Sequence, residues 1–260
     1  MAASASPGIA TRRFAATVSY DGTDFLGSQV QPNGRTVQQE LETAALVLFG
    51  APTRVELAGR TDSGVHAIGQ VAAFSAETRL EAKTVRRALN AHLPEDVAVR
   101  SVREVDPRFD PRRWARRRWY RYSIVNGEAR EPLRRRFSWQ IEGDLDLPAM
   151  QLAASALAGT QDFAACSGRL EAGRTSVRTV FEAGWTCEGT DVLFDIEADA
   201  FLPQMVRRLV GALVRIGRGG QEVEEFVRLL RQAKQGALGP TAPAPGLCLQ
   251  RVWYDEGYPL

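Results

Sequence analysis

The strongest constraint on the fold of this chain is the order in which its hydrophobic period changes over the first hundred residues. Residues 14–20 (FAATVSY) read as a strand ending at the turn pair Asp21-Gly22. From 36 to 49 the period becomes helical, with Val37, Leu41, Ala44, Ala45 and Leu48 on one stripe. Thr36 is a suitable N-cap, Gln39 completes a capping box, and Gly50 with Pro52 stops the helix. Residues 53–58 alternate as a strand; after a polar loop, 69–75 (GQVAAFS) form another. A helix over 83–92 sets Val85, Leu89 and His92 on one side, and a strand at 97–104 (VAVRSVRE) closes the series. The order is β-α-β-β-α-β, which only a few sheet topologies accommodate.

The second half carries the same ingredients in looser form. Strands are expected at 118–126, 136–141, 177–187 and 191–198, helices at 147–158, 202–216 and 223–233, and a last strand near 247–254 (LCLQRVWY). Asp146 caps the helix at 147–158, which ends before Gly159. Val223, Phe226, Val227 and Leu230 have helical spacing. No literal repeat is present. The pattern predicts an α+β protein of two halves with mostly antiparallel sheets, residues 12–110 and 111–260, behind a disordered tail at 1–11.

That tail lacks the basic start and continuous apolar run of a signal peptide. The longest uncharged candidate for a membrane span, Gln235 to Gln250, holds three prolines and reads as a loop, so a cytoplasmic protein with no membrane partner is expected. Cys166, Cys187 and Cys248 are scattered and odd in number, which suits reduced thiols. With only His66 and His92 available, no metal-ligand spacing arises, and no metal or cofactor is expected.

The arginines are more telling. Seven of the fourteen residues from Arg108 to Arg121 are arginine, interleaved with Phe109, Trp114, Trp119 and Tyr120. Arg130 and Arg134 to Arg136 follow, and of 33 basic residues only Lys83 and Lys234 are lysine. A compositional bias would scatter such residues over any solvated face. Clustering beside aromatics favours a polyanionic partner, because guanidinium forks bind phosphates and rings stack on bases.

One stretch carries chemistry: Ala58-Gly-Arg-Thr-Asp-Ser-Gly-Val-His-Ala67, a loop between two expected strands. Arg60 and Asp62 are two apart, so in extended backbone they project to one side, where an ion pair would hold the carboxylate charged and oriented. Such a carboxylate suits nucleophilic catalysis or proton abstraction. The same residues also fit an Asx-turn in which Asp62 bonds its own backbone, and the residues alone leave both readings open. No Gly-Lys-Ser/Thr phosphate loop and no Gly-x-Ser-x-Gly elbow is present here.

GRTDSGVHA resembles the catalytic signature of the tRNA pseudouridine synthase A family. SYDGTDFLGSQVQ, RTVQQELE, LNAHLPEDVAV and RRRWYRYSI resemble the same family in the same order, as do GTQDFAACSG, GRTSVRTV, FLPQMVRRLVGALVRIG and GPTAPAPGLCL. The likeness runs over residues 13 to 254. It implies two ferredoxin-like halves forming one extended sheet, with helices on one face and a central basic cleft. It implies a cofactor-free homodimer that converts uridines on the 3′ side of the tRNA anticodon arm to pseudouridine. Residue by residue, Asp62 takes the place of the catalytic aspartate and Arg60 of its arginine partner. Tyr120 matches the tyrosine that stacks on the target base, Arg207 an arginine reaching Asp62 from the other half, and Leu247 an apolar residue of the uracil pocket. The basic strip adds Arg112, Arg113, Arg116 and Arg117 as expected RNA contacts.

The chain departs from the pattern at Ser28, where many relatives carry tryptophan, at Cys166, often an aromatic, and in FLPQM, commonly a His-containing version. None of these falls on an inferred catalytic residue, so they bear on tRNA docking. A non-catalytic RNA binder would share the basic strip but has no need of the Gly-bracketed Arg-Thr-Asp. DNA binding is not expected, because no basic recognition helix of a helix-turn-helix is evident; Arg207, Arg208 and Arg215 are better placed along a cleft or in solvent. His66 and His92 read as structural, and Asp21 and Asp24 as turn formers.

Overall fold

A computed structural model of the chain describes residues 10–168, 173 and 175–255. Most of the expected tail lies outside the described residues, and Thr11 already belongs to a strand. The first half comprises β1 (Thr11–Tyr20), α1 (Val37–Phe49), β2 (Glu56–Leu57), β3 (His66–Glu77), α2 (Ala82–His92) and β4 (Val97–Val105). The second comprises β5 (Arg117–Asn126), β6 (Trp139–Ile141), α3 (Leu147–Ser155), β7 (Gly159–Asp162), β8 (Val177–Glu188), β9 (Asp191–Ala198), α4 (Met205–Gly217), α5 (Val223–Gln232) and β10 (Leu247–Trp253).

The local signals act as expected. Thr36 Oγ1 accepts the Gln39 N–H at 3.3 Å, and Gly50 closes α1 in the left-handed conformation at φ 69°. Val37, Leu41, Ala44 and Ala45 are buried beneath α1. Asp146 Oδ1 accepts the Ala149 N–H at 2.9 Å to start α3. On α2, Val85 and Leu89 are buried, but His92 is exposed rather than on the packed side.

All strands join one ten-stranded sheet in the order β4-β1-β3-β10-β5-β9-β8-β7, with β2 also on β3 and β6 on β5. Within the first half the order β4-β1-β3-β2 is antiparallel throughout; within the second, β10-β5-β9-β8 repeats it. The halves meet where β10 lies parallel to β3 (Cys248↔His66, Leu249↔Ala67) and antiparallel to β5 (Leu249↔Tyr120). The last strand of the chain is therefore the seam strand. It touches β3 at its first residues, immediately after the 58–65 loop.

Five elements differ most from the sequence reading. The strand expected at 53–58 shrinks to Glu56–Leu57, while the one at 69–75 grows to His66–Glu77. The strand expected from 136 starts at Trp139, because a turn intervenes in which Phe137 N–H and Ser138 Oγ both bond Arg134 O at 2.9 Å. The helix expected from 202 starts at Met205: Pro203 disfavours helix at the residue before it, and Gln204 is left-handed at φ 61°. β7 (GTQD) has no apolar period; it forms because it pairs with the edge of β8, where the Thr160 and Thr179 hydroxyls meet at 2.8 Å.

One apolar core runs through both halves and includes fully buried Phe14, Phe25, Phe109, Tyr122, Phe194 and Phe226. Each such side chain contributes about 1.5–3 kcal/mol on burial. The second face of β5 is half-buried and polar: Trp119 Nε1 and Arg121 both donate to Asp195.

Candidate active site

The 58–65 loop belongs to no strand or helix beyond Leu57, so its shape is set by bonds to its neighbours. Ala58 N–H donates to Val71 O at 2.8 Å. Gln70 Nε2 donates to Gly59 O at 2.9 Å, and Tyr20 Oη meets Thr61 Oγ1 at 2.8 Å in the buried interior. Val65 N–H returns to Asp62 O at 3.2 Å, which turns the chain into β3. Thr61 is buried, while the Asp62 side chain retains 34% exposure.

Asp62 faces a cavity of about 340 Å³ between the two halves, within the ~300–1,000 Å³ typical of small-molecule sites. From the first half its wall is residues 58–62 and Val65; from the second it is Arg112, Arg118, Tyr120, Arg178, residues 200–207 and Leu247. Six of the residues singled out from the sequence, Arg60, Asp62, Arg112, Tyr120, Arg207 and Leu247, thus share one cavity.

The ion pair seen at Asp62 comes from across the seam: Arg207 Nη1 donates to Asp62 Oδ2 at 3.3 Å. Arg207 is itself anchored, since its Nε donates to Ala242 O and its own carbonyl accepts the Ala242 N–H, both at 2.9 Å. Arg60 is exposed and lines the same cavity.

Tyr120 projects from β5 with Arg118, Tyr122 and Ile124 on the buried face, as the strand period predicts. Its ring meets Phe201 edge-on at 5.0 Å, and it is 7% exposed. Burial pushes the phenol pKa well above its ordinary value, and the Tyr20 and Asp62 neighbours add to the rise against the opposing Arg118 charge. Tyr120 is thus both a core residue and a cavity wall, held neutral.

Arg118 was not among the expected site residues, yet it joins the halves. It is 7% exposed, and its guanidinium donates to Asp199 O at 2.5 Å, to Ala58 O at 3.0 Å and to Arg112 O at 2.9 Å. Arg178, Phe201 and Gln204 also line the cavity unforeseen. Their only sequence signal is that they fall within the GRTSVRTV and FLPQM motifs. Of the four arginines expected to contact RNA, Arg112 lines the cavity. Arg113 pairs with Asp110 at 3.6 Å, Arg116 with Asp255 at 2.8 Å, and Arg117 with Glu197 at 2.8 Å while stacking on Phe181.

Of the two histidines, His66 is packed into the fold and His92 is exposed. His66 is 4% exposed, and its Nδ1 accepts the Gly22 N–H at 3.0 Å, with Asp21 beside it. Asp21 forms the expected turn by accepting the Thr23 N–H at 3.0 Å. The three cysteines are free. Among the described residues no His, Cys, Asp or Glu cluster suited to a metal ion occurs, and no helix is long and apolar enough to cross a membrane.

A family model described as tRNA pseudouridine synthase matches residues 16–112 and 153–255, which includes the loop, the α4 arginine and the seam strand. The chain belongs to the tRNA pseudouridine synthase family. Its relatives are near full-length matches. The tRNA pseudouridine synthase A of Pelobacter propionicus is 44% identical over 92% of this chain and 98% of that protein. That of Roseiflexus castenholzii is 45% identical over 94% and 92%, and that of Myxococcus xanthus 42% over 95% and 94%. A solved Cbf5-Nop10-Gar1 complex shares 12% identity over 93% of this chain and 60% of its own at a TM-score of 0.33, too low to bear on the fold. As a pseudouridine synthase the protein is an isomerase, and the seam cavity is where the family model's two matched segments converge.

Proposed function

We propose that the chain converts uridine to pseudouridine in the anticodon arm of tRNA, on the 3′ side, with Asp62 as nucleophile or base. The carrying observation is that Asp62 is oriented by Arg207 at the mouth of a base-sized cavity also walled by Tyr120 and Leu247. The reaction balances internally. The C1′–N1 bond breaks, C1′–C5 forms, the C5 proton leaves and N1 gains one, so no oxidant, reductant or cofactor is needed.

The residues divide the work. Asp62 attacks the nucleoside or takes a sugar proton so that the glycosidic bond opens. Arg207 aims the carboxylate, and Arg60 acts as its arginine partner from the loop itself. Tyr120 and Leu247 supply a stacking face and an apolar wall for the flipped uracil, whose extraction costs a few kcal/mol. The neutral Tyr120 phenol then relays the C5 proton. Arg112 contacts phosphate at the cavity wall, and Arg113, Arg116 and Arg117 exchange their carboxylate partners for phosphate as RNA docks.

The matching strand orders β4-β1-β3-β2 and β10-β5-β9-β8 support reading the halves as ferredoxin-like units. Packing of α1 on α2, and of α3 on α4 and α5, supports helices on one face of the sheet. Arg60, Arg112, Arg118, Arg178 and Arg207 in one wall support a central basic cleft. We place the enzyme in the cytoplasm, as a homodimer.

The test is incubation with tRNA tritiated at uridine C5. Tritium should appear in water with the wild type, and sequencing should place pseudouridine in the anticodon arm. Tight tRNA binding without tritium release would leave a binding protein and overturn the proposal.

A further inference from the structure

The catalytic loop is cast against the segment 22–28, backbone on backbone. A Cβ on Gly22 would fall 2.0 Å from Val65 O, and one on Gly27, which is left-handed at φ +91°, would fall 2.8 Å from Thr61 O. Phe25 O accepts from Gly64 N–H at 3.3 Å and from Ser63 Oγ at 3.1 Å. At the end of this segment Ser28 grips Thr61 from both sides: its N–H donates to Thr61 O at 3.1 Å, and its Oγ accepts the Thr61 N–H at 2.9 Å. Ser28 is completely buried.

We infer that the Ser28 hydroxyl is a positioning residue that fixes the backbone immediately before Asp62 and thereby aims its carboxylate. The geometry leaves this task to Ser28. Thr61 is the residue directly ahead of Asp62, and its side chain is committed to Tyr20 on the sheet side. Its backbone N–H, in a residue only 6% exposed, would lose its acceptor if the hydroxyl were gone. The loop would answer by rotating the 61–62 peptide to find another acceptor. Asp62 would swing with it, away from Arg207, while the RNA-facing side chains of the second half stayed where they are. A reacting carboxylate misplaced by a fraction of an ångström loses rate and not affinity.

The inference rests on Asp62 being the reacting group, so the test carries one readout that needs no catalysis. Ser28→Ala removes the acceptor, and Ser28→Cys keeps the size but offers only a weak one; if the alanine variant does not fold, the cysteine variant carries the same expectation. At a temperature where the variant is folded, turnover at saturating tRNA should fall tenfold or more, while the Kd for tRNA stays within threefold. Hydrogen exchange at the Thr61 amide should accelerate at least tenfold while amides in β1 and β3 keep their protection. A smaller loss of turnover, or tRNA affinity falling in step with it, overturns the positioning role. If the wild type itself releases no tritium from tRNA, the reaction assignment has failed instead, and Thr61 exchange alone decides: acceleration upholds the clamp and unchanged exchange removes it.

Discussion

Arg118 offers a measurable test of how the two halves are joined. Its buried guanidinium fork reaches three carbonyls on different bearings: Ala58 in the first half, Asp199 before the 200–207 wall, and Arg112. Arg118→Lys keeps the charge but replaces a planar fork by a single ammonium on a shorter reach. One ammonium cannot satisfy all three, so one or two carbonyls lose their donor in a site that is 7% exposed. Each orphaned acceptor costs roughly 1–3 kcal/mol. Water admitted through the cavity lowers the figure toward the bottom of that range, giving about 2 kcal/mol in total for two carbonyls. For a chain of this size that corresponds to a fall in Tm of about 4–8 °C. Thermal unfolding followed by circular dichroism reads it, with Arg116→Lys as control, since Arg116 and Asp255 form a solvent-exposed pair that should leave Tm unmoved. A drop smaller than ~2 °C in Arg118→Lys would show that the three bonds are not holding the halves together, and the reasoning would fail.

Asp62→Asn should abolish tritium release yet bind tRNA nearly as well as wild type; activity within about tenfold, 1.4 kcal/mol, of wild type would remove Asp62 from the chemistry. Tyr120→Phe keeps the ring against Phe201 and loses the hydroxyl, so glycosidic cleavage should proceed while C5 proton release slows sharply, read in single turnovers; full activity would end the relay role. Burial pushes the Tyr20 phenol up to about 12, and those of Tyr120, Tyr122 and Tyr254 also rise. Folding keeps these protons at a pH where the unfolded chain has released them. Stability should therefore hold steady below about pH 10 and fall from there toward pH 12, and urea midpoints that stay constant through pH 11 would contradict it.

The sequence carried local structure well because local structure is set by neighbours in sequence. Thr36, Gly50 and Asp146 act through their own turns, and the period of β5 correctly put Tyr120 and Arg118 on one face. What could not be read was anything set by pairing. LCLQRVWY is legible as a strand, but nothing in it says that it slots between β3 and β5, one parallel and one antiparallel. The Arg207–Asp62 pair spans 145 positions, so no spacing in the sequence points to it, and the family resemblance alone suggested Arg207. The arginine strip shows the opposite limit. Composition marked Arg112, Arg113, Arg116 and Arg117 alike, whereas their elements send one to the cavity and three to carboxylate partners.

Ser28 shows why a departure from a familiar pattern is hard to weigh from sequence. It lies 34 residues before Asp62 in the chain, far from GRTDSGVHA, and so was assigned to docking. In the fold it bonds the residue next to Asp62. The two places follow from one cause. A loop without strand or helix must find partners elsewhere for every buried N–H and C=O, and only segments brought in by the sheet can supply them. Here Val71 and Gln70 come from β3, Tyr20 from β1, Ser28 from the segment after it, and Arg118 from β5 across the seam. With those groups satisfied, the Asp62 carboxylate faces the cavity and accepts from Arg207 of the second half. A site assembled this way is fixed in its backbone and open at the Asp62 carboxylate, the combination that the proposed role of Asp62 requires.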